Sequence, residues 1–126
     1  MCIRDRFSDY PGDITQIKKL YADCNKLTDL NGCPPNVEVL TVSWNELTSL
    51  NGCPQTLQDL SCNNNKLKSL RGCPEGLLEA YCVFNKIRNL DDCPTTVERL
   101  NVDCNRLRGF SGAPVSYTHL TLPTKA

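Results

Sequence analysis

The chain has 126 residues, 14 basic and 14 acidic side chains, nine cysteines and 40% hydrophobic content. That is material for one domain, and zero net charge removes the simplest argument for a nucleic-acid or anionic-membrane partner. No apolar run approaches the ~20 residues needed to span a bilayer, and the odd cysteine count argues against a fully paired disulfide framework.

The first segment in chain order is set aside before fold reasoning. Met1-Cys2-Ile3-Arg4-Asp5-Arg6 back-translates to a DNA string whose reverse complement encodes Val-Ser-Tyr-Thr-His, the residues standing at Val115 to His119. Residues 1–6 and 115–126 are therefore read as adapter-like, non-native segments. They resemble the translated mosaic end of a transposon-based sequencing library. Two unrelated flexible termini are the alternative. Without Arg4, Arg6, Lys125 and Asp5, 11 basic and 13 acidic residues remain, a net charge of −2 (11 − 13). The sole histidine, His119, goes with the tail. A frame that runs into adapter at both ends predicts an interior fragment of a longer protein.

Residues 7–114 are filled by a repeat of period 20, in five coils at about 14–34, 35–54, 55–74, 75–94 and 95–114. Leucine recurs at Leu20, Leu40, Leu60 and Leu100, with Ala80 in the gap. Asparagine recurs at Asn25, Asn45, Asn65, Asn85 and Asn105. Then come Leu27, Leu47, Leu67, Ile87 and Leu107, and Leu30, Leu50, Leu70, Leu90 and Phe110. Cys33-Pro34, Cys53-Pro54, Cys73-Pro74 and Cys93-Pro94 follow, with Ala113-Pro114 as the last variant.

One short strand is predicted per coil, near Lys19–Asp23, Val39–Ser43, Asp59–Asn63, Glu79–Val83 and Arg99–Asp103. Alternation puts Leu40 and Val42 on one face and Val39, Thr41 and Ser43 on the other. One such strand cannot bury its apolar face alone; stacked copies form a parallel sheet over a continuous core. Twenty residues leave no room for a full helix on the return, so that side is expected to be extended or a single turn, with the prolines fixing φ. Gly32, Gly52 and Gly72 supply φ > 0 in the linking turns, where Asp92 departs from the pattern.

The segment from Val37 to Leu47, with Leu40, Val42 and Asn45 at the marked positions, fits L-x-x-L-x-L-x-x-N-x-L. On these residues the chain resembles the leucine-rich repeat family across about residues 14–114. The short period and trailing proline look most like the short repeats of bacterial effector proteins; similar Gly-Cys-Pro repeats occur in large DNA viruses and microbial eukaryotes. The resemblance implies a mainly β repeat solenoid, a right-handed curved coil with a parallel sheet on its concave face. It also implies protein binding through that face.

The asparagine column is read as structural. A coil that turns sharply after its strand aims backbone N–H and C=O groups inward, and a stacked amide can pair both kinds. None of these asparagines sits in a glycosylation sequon. Cys33, Cys53, Cys73 and Cys93 form an inward column, and Cys62 and Cys82 replace the second strand leucine. They are read as reduced core thiols, which favours the cytoplasm or another reducing compartment. Disulfides along a column would strain some coils, and zinc would need four convergent ligands. Cys24 and Cys104 precede the asparagine and are expected to be partly exposed.

Outward strand positions and the residue before the asparagine vary within this uniform frame, which suits a recognition surface. The candidate partner-binding residues are Tyr21, Thr41, Trp44, Asn64, Tyr81, Phe84 and Asn101. Aromatic anchors carry much of the energy in protein interfaces. The alternative is that these rings pack sideways onto neighbouring coils. A basic row, Lys66, Lys68, Arg71, Lys86, Arg88, Arg106 and Arg108, is read as a solvated rim, with no nucleic-acid partner expected. No catalytic constellation, cofactor loop or metal site is visible. The expected function is non-catalytic protein binding. The competing readings are the substrate-recognition part of a larger enzyme, such as an effector ubiquitin ligase, and a purely structural spacer. Neither end looks like a capping coil, so edge-to-edge self-association is expected.

Overall fold

The computed structural model describes residues 13–109. Five strands follow one another: β1 (Lys19–Tyr21), β2 (Val39–Thr41), β3 (Asp59–Ser61), β4 (Glu79–Tyr81) and β5 (Arg99–Asn101). They form one parallel sheet in sequence order. The register advances by one repeat per strand, so Leu20, Leu40, Leu60, Ala80 and Leu100 are successive partners. The chain is a mainly β repeat solenoid, with one 3-10 turn at Ile14–Gln16 as the only helical element among the described residues.

Each strand is three residues long, not the five expected from alternation. The backbone turns out of the strand direction after the third residue. Inter-coil bonding nevertheless continues: Ala22 N–H donates to Thr41 O at 2.8 Å and Cys24 N–H to Ser43 O at 2.9 Å. The second donor of that pair, Cys24, is left-handed, as are its equivalents in the other four coils, which ends this inter-coil ladder.

The core is built from the columns. Leu27, Leu30, Leu40, Leu47, Leu50 and Leu60 are fully buried, as are their equivalents in the third and fourth coils. Burying such a side chain contributes about 1.5–3 kcal/mol. Ala80 is also fully buried and costs no register slip, for its strand stays aligned on both sides. The return path is two tight turns per coil. Between β2 and β3 Cys53 N–H donates to Leu50 O at 3.1 Å and Leu57 N–H to Pro54 O at 3.3 Å. Gly52 has φ +89°, and a Cβ there would lie 2.5 Å from Asn31 N of the previous coil. The fourth coil manages its turn without a left-handed residue at Asp92. The readings for residues 1–6, Phe110, Ala113-Pro114, the tail 115–126 and the uncapped ends lie outside the described residues.

Candidate functional site

The strands turn one set of side chains to the core and the other to solvent, and the outward set forms the candidate site. Tyr21 and Trp44 are each 63% exposed and Phe84 is 55% exposed. Thr41, Asn64, Tyr81 and Asn101 are half-buried. Three of these four are engaged within the sheet. The Thr41 hydroxyl donates to Asp23 Oδ2 at 3.2 Å. Tyr81 Oη donates to Glu79 Oε1 at 3.0 Å. Asn101 Oδ1 accepts the Asp103 N–H at 3.1 Å.

The structure brings Trp44, Asn64 and Phe84 together in one column on consecutive coils, with Cys24 and Cys104 at its ends. All five have φ between 57° and 60°. For L-residues the left-handed region costs roughly 1–2 kcal/mol. Asn is among the few types that tolerate it, whereas bulky residues there are outliers. Trp44 and Phe84 are therefore large apolar rings held in a strained conformation and in water. The pattern of the sequence marked them as exposed; nothing local announced their backbone conformation.

Two polar ladders flank this column. The inner one is the asparagine column. Asn65 Nδ2 donates to Val42 O, Cys62 O and Asn63 O at 3.0, 3.0 and 3.1 Å, and its Oδ1 accepts the Leu47 N–H at 3.0 Å. Asn45, Asn85 and Asn105 likewise accept an N–H from the preceding coil, and Asn25 donates to Ala22 O. No buried side-chain N or O atom among the described residues lacks a partner.

The outer ladder was not expected. Ser43 N–H donates to Asp23 Oδ1 at 2.7 Å, Asn63 N–H to Ser43 Oγ at 3.2 Å, and Val83 N–H to Asn63 Oδ1 at 2.8 Å. Val83 breaks it, and the next N–H, of Asp103, turns to Asn101 instead. Glu79 is a second residue that sequence reasoning missed. Its Oε1 takes the Tyr81 hydroxyl and, at 3.3 Å, Arg99 Nη1. The signal was available, since Tyr81 lies two residues along the same face and Arg99 one period away.

Electrostatics separate the face from the core. Burial is the first cause that raises Asp59, and the neighbouring Glu79 adds to it. Burial pushes the thiols of Cys33, Cys53 and Cys93 up to about 12, and Cys73 higher. Cys82 is raised first by its contact with Cys62, whose sulfur lies 3.1 Å away, and then by burial. Thiols so placed stay protonated at neutral pH and are poor nucleophiles. Cys24 and Cys104 are exposed, as expected. The basic row is largely solvated, with Lys66 held 3.6 Å from Glu46.

Among the described residues no group of three or more His, Cys, Asp or Glu could hold a metal ion. No helix among them is long and apolar enough to cross a membrane. No protein-family model matches this sequence, and no curated protein matches it either.

Proposed function

We propose that this short-repeat solenoid is a leucine-rich repeat protein that binds a protein partner, without catalysis, through the exposed face of its sheet. One observation carries the reading. Trp44 and Phe84 are exposed and left-handed, where Asn64 shows the inexpensive choice. Two strained apolar rings in water oppose stability twice, and binding is what repays such an arrangement. The repeated motif supports the family assignment, since register, columns and asparagine contacts all follow the 20-residue period. Eight free thiols among the described residues, two of them exposed, suit a reducing compartment such as the cytoplasm.

The test is selection of a displayed protein-domain library on the full chain, followed by counter-screening on the Trp44→Asn, Phe84→Asn double variant. Binders are expected to cluster on the wild type and to lose at least tenfold in affinity on the variant, with circular dichroism unchanged. Binders that bind both chains equally would sink the reading.

A further inference from the structure

Trp44 and Phe84 are two coils apart. At ~4.8 Å per coil their backbones are separated by about 9.6 Å, measured along the solenoid and across the strands. A bound extended chain must present apolar groups at that interval. A polyproline II helix repeats its face every three residues, ~9.3 Å. A β-strand repeats every two residues, about 6.7 Å, and misses by about 3 Å. An α-helix reaches about 10.8 Å in two turns, about 1 Å too long.

What lies midway is the Asn64 amide. Its backbone N–H is bonded to Val83 O at 2.8 Å, but its side chain has no hydrogen bond to a described residue. It differs in this from all five asparagines of the inner ladder. Polyproline II carbonyls have no internal partner and take such donors. Two residues on from the column stand Lys26, Glu46, Lys66, Lys86 and Arg106; Lys66 pairs with Glu46, and no ion pair joins Lys86 or Arg106 to a described residue. On the other side Asp23 and Asp103 stand at the two ends, and Ser43, Asn63 and Val83 between them are uncharged.

Resting on the binding reading above, we infer that the partner segment is a proline-rich, carboxylate-bearing chain in polyproline II conformation. It lies along the solenoid with prolines on Trp44 and Phe84, a carbonyl on Asn64 and carboxylates toward Lys86 and Arg106. Surfaces lined by aromatic rings are a known docking mode for such segments.

Trp44 is the sole tryptophan, so its emission reports directly on the site. The experiment titrates the full chain with a synthetic peptide of repeated Pro-Glu-Ala units and with a control of the same composition whose prolines are spaced by two and four. The in-phase peptide is expected to give a saturable blue shift, with affinity about tenfold above the control. Phe84→Asn should remove that preference, and replacing glutamate by glutamine in the peptide should weaken binding. Equal response to both peptides, a preference that survives in Phe84→Asn, or no response up to millimolar peptide overturns the inference. The library selection on the double variant judges the binding face separately, so the two readings fail by different results.

Discussion

Asn45, Asn65 and Asn85 are the same residue, while Asp23, Ser43, Asn63 and Val83 are four different ones. Both rows do one job, Val83 excepted: each of the other side chains accepts a backbone N–H from an adjacent coil. The difference is water. The inner row is buried, so a missing acceptor leaves an N–H with nothing to pair it. The outer row is at the surface, where carboxylate, hydroxyl, amide or solvent can serve. Variation in a column is therefore not by itself a sign of recognition: part of the outer face varies because its task tolerates substitutes. Trp44 and Phe84 stand apart from this, because no backbone demand is met by their side chains.

Asn65→Leu should show the largest effect. It orphans the buried Leu47 N–H, at about 1–3 kcal/mol, while the carbonyls of Val42 and Cys62 keep the Asn45 and Asn85 amides as donors. Urea denaturation should show a loss of about 1–3 kcal/mol. A loss below about 1 kcal/mol would erase the distinction between the ladders.

Trp44→Asn tests the column between them. Relief of the left-handed strain should raise stability by about 1 kcal/mol, seen as a higher Tm. A lower Tm would mean that the ring contributes packing that its exposure does not reveal.

Asn63→Val copies the natural break at Val83. It should cost less than about 1 kcal/mol, because the Val83 N–H can turn to water. The reverse change, Val83→Asn, should extend the outer ladder to Asp103 and gain about 0.5 kcal/mol. Chemical denaturation of the two variants side by side measures both. Asn63→Val matching Asn65→Leu would break the comparison.

The smallest effect belongs to Asp59, whose carboxyl is raised by burial and by Glu79 beside it in register. A raised carboxyl disfavours its ionised form in the fold. That opposes stability above the folded pKa and vanishes as pH falls below the unfolded one. Asp59→Asn should therefore be slightly more stable than wild type at neutral pH and equal to it in acid. A Tm difference that grows toward low pH would reverse this sign.

Several parts of this structure were legible in the residues. Leu20, Leu40, Leu60 and Leu100 set the register, because a slip of one residue would turn every leucine outward. The asparagine column announced its role, since a polar residue fixed among core leucines must satisfy buried backbone groups. The exposure of Trp44 and Phe84 was expected from their place before the asparagine, although alternation alone would give them the parity of Leu40 and Val42. Strand length was misjudged because alternation continues through Asp23 and Ser43, whereas the strands end at Tyr21 and Thr41.

Sequence by itself determined the period, the columns, the core and the stacking order, because hydrophobic burial at a fixed spacing has one stacked solution. Only the tertiary structure decided what neighbouring coils do to each other. It set the left-handed turn beneath Trp44 and Phe84 and the 3.1 Å approach of Cys62 to Cys82. It also decided that Asp23, Ser43 and Asn63 serve one ladder while the Asn64 amide is left without a described partner. These depend on distances between residues 20 apart in sequence and on the direction of individual hydrogen bonds, which a pattern of residue types does not carry.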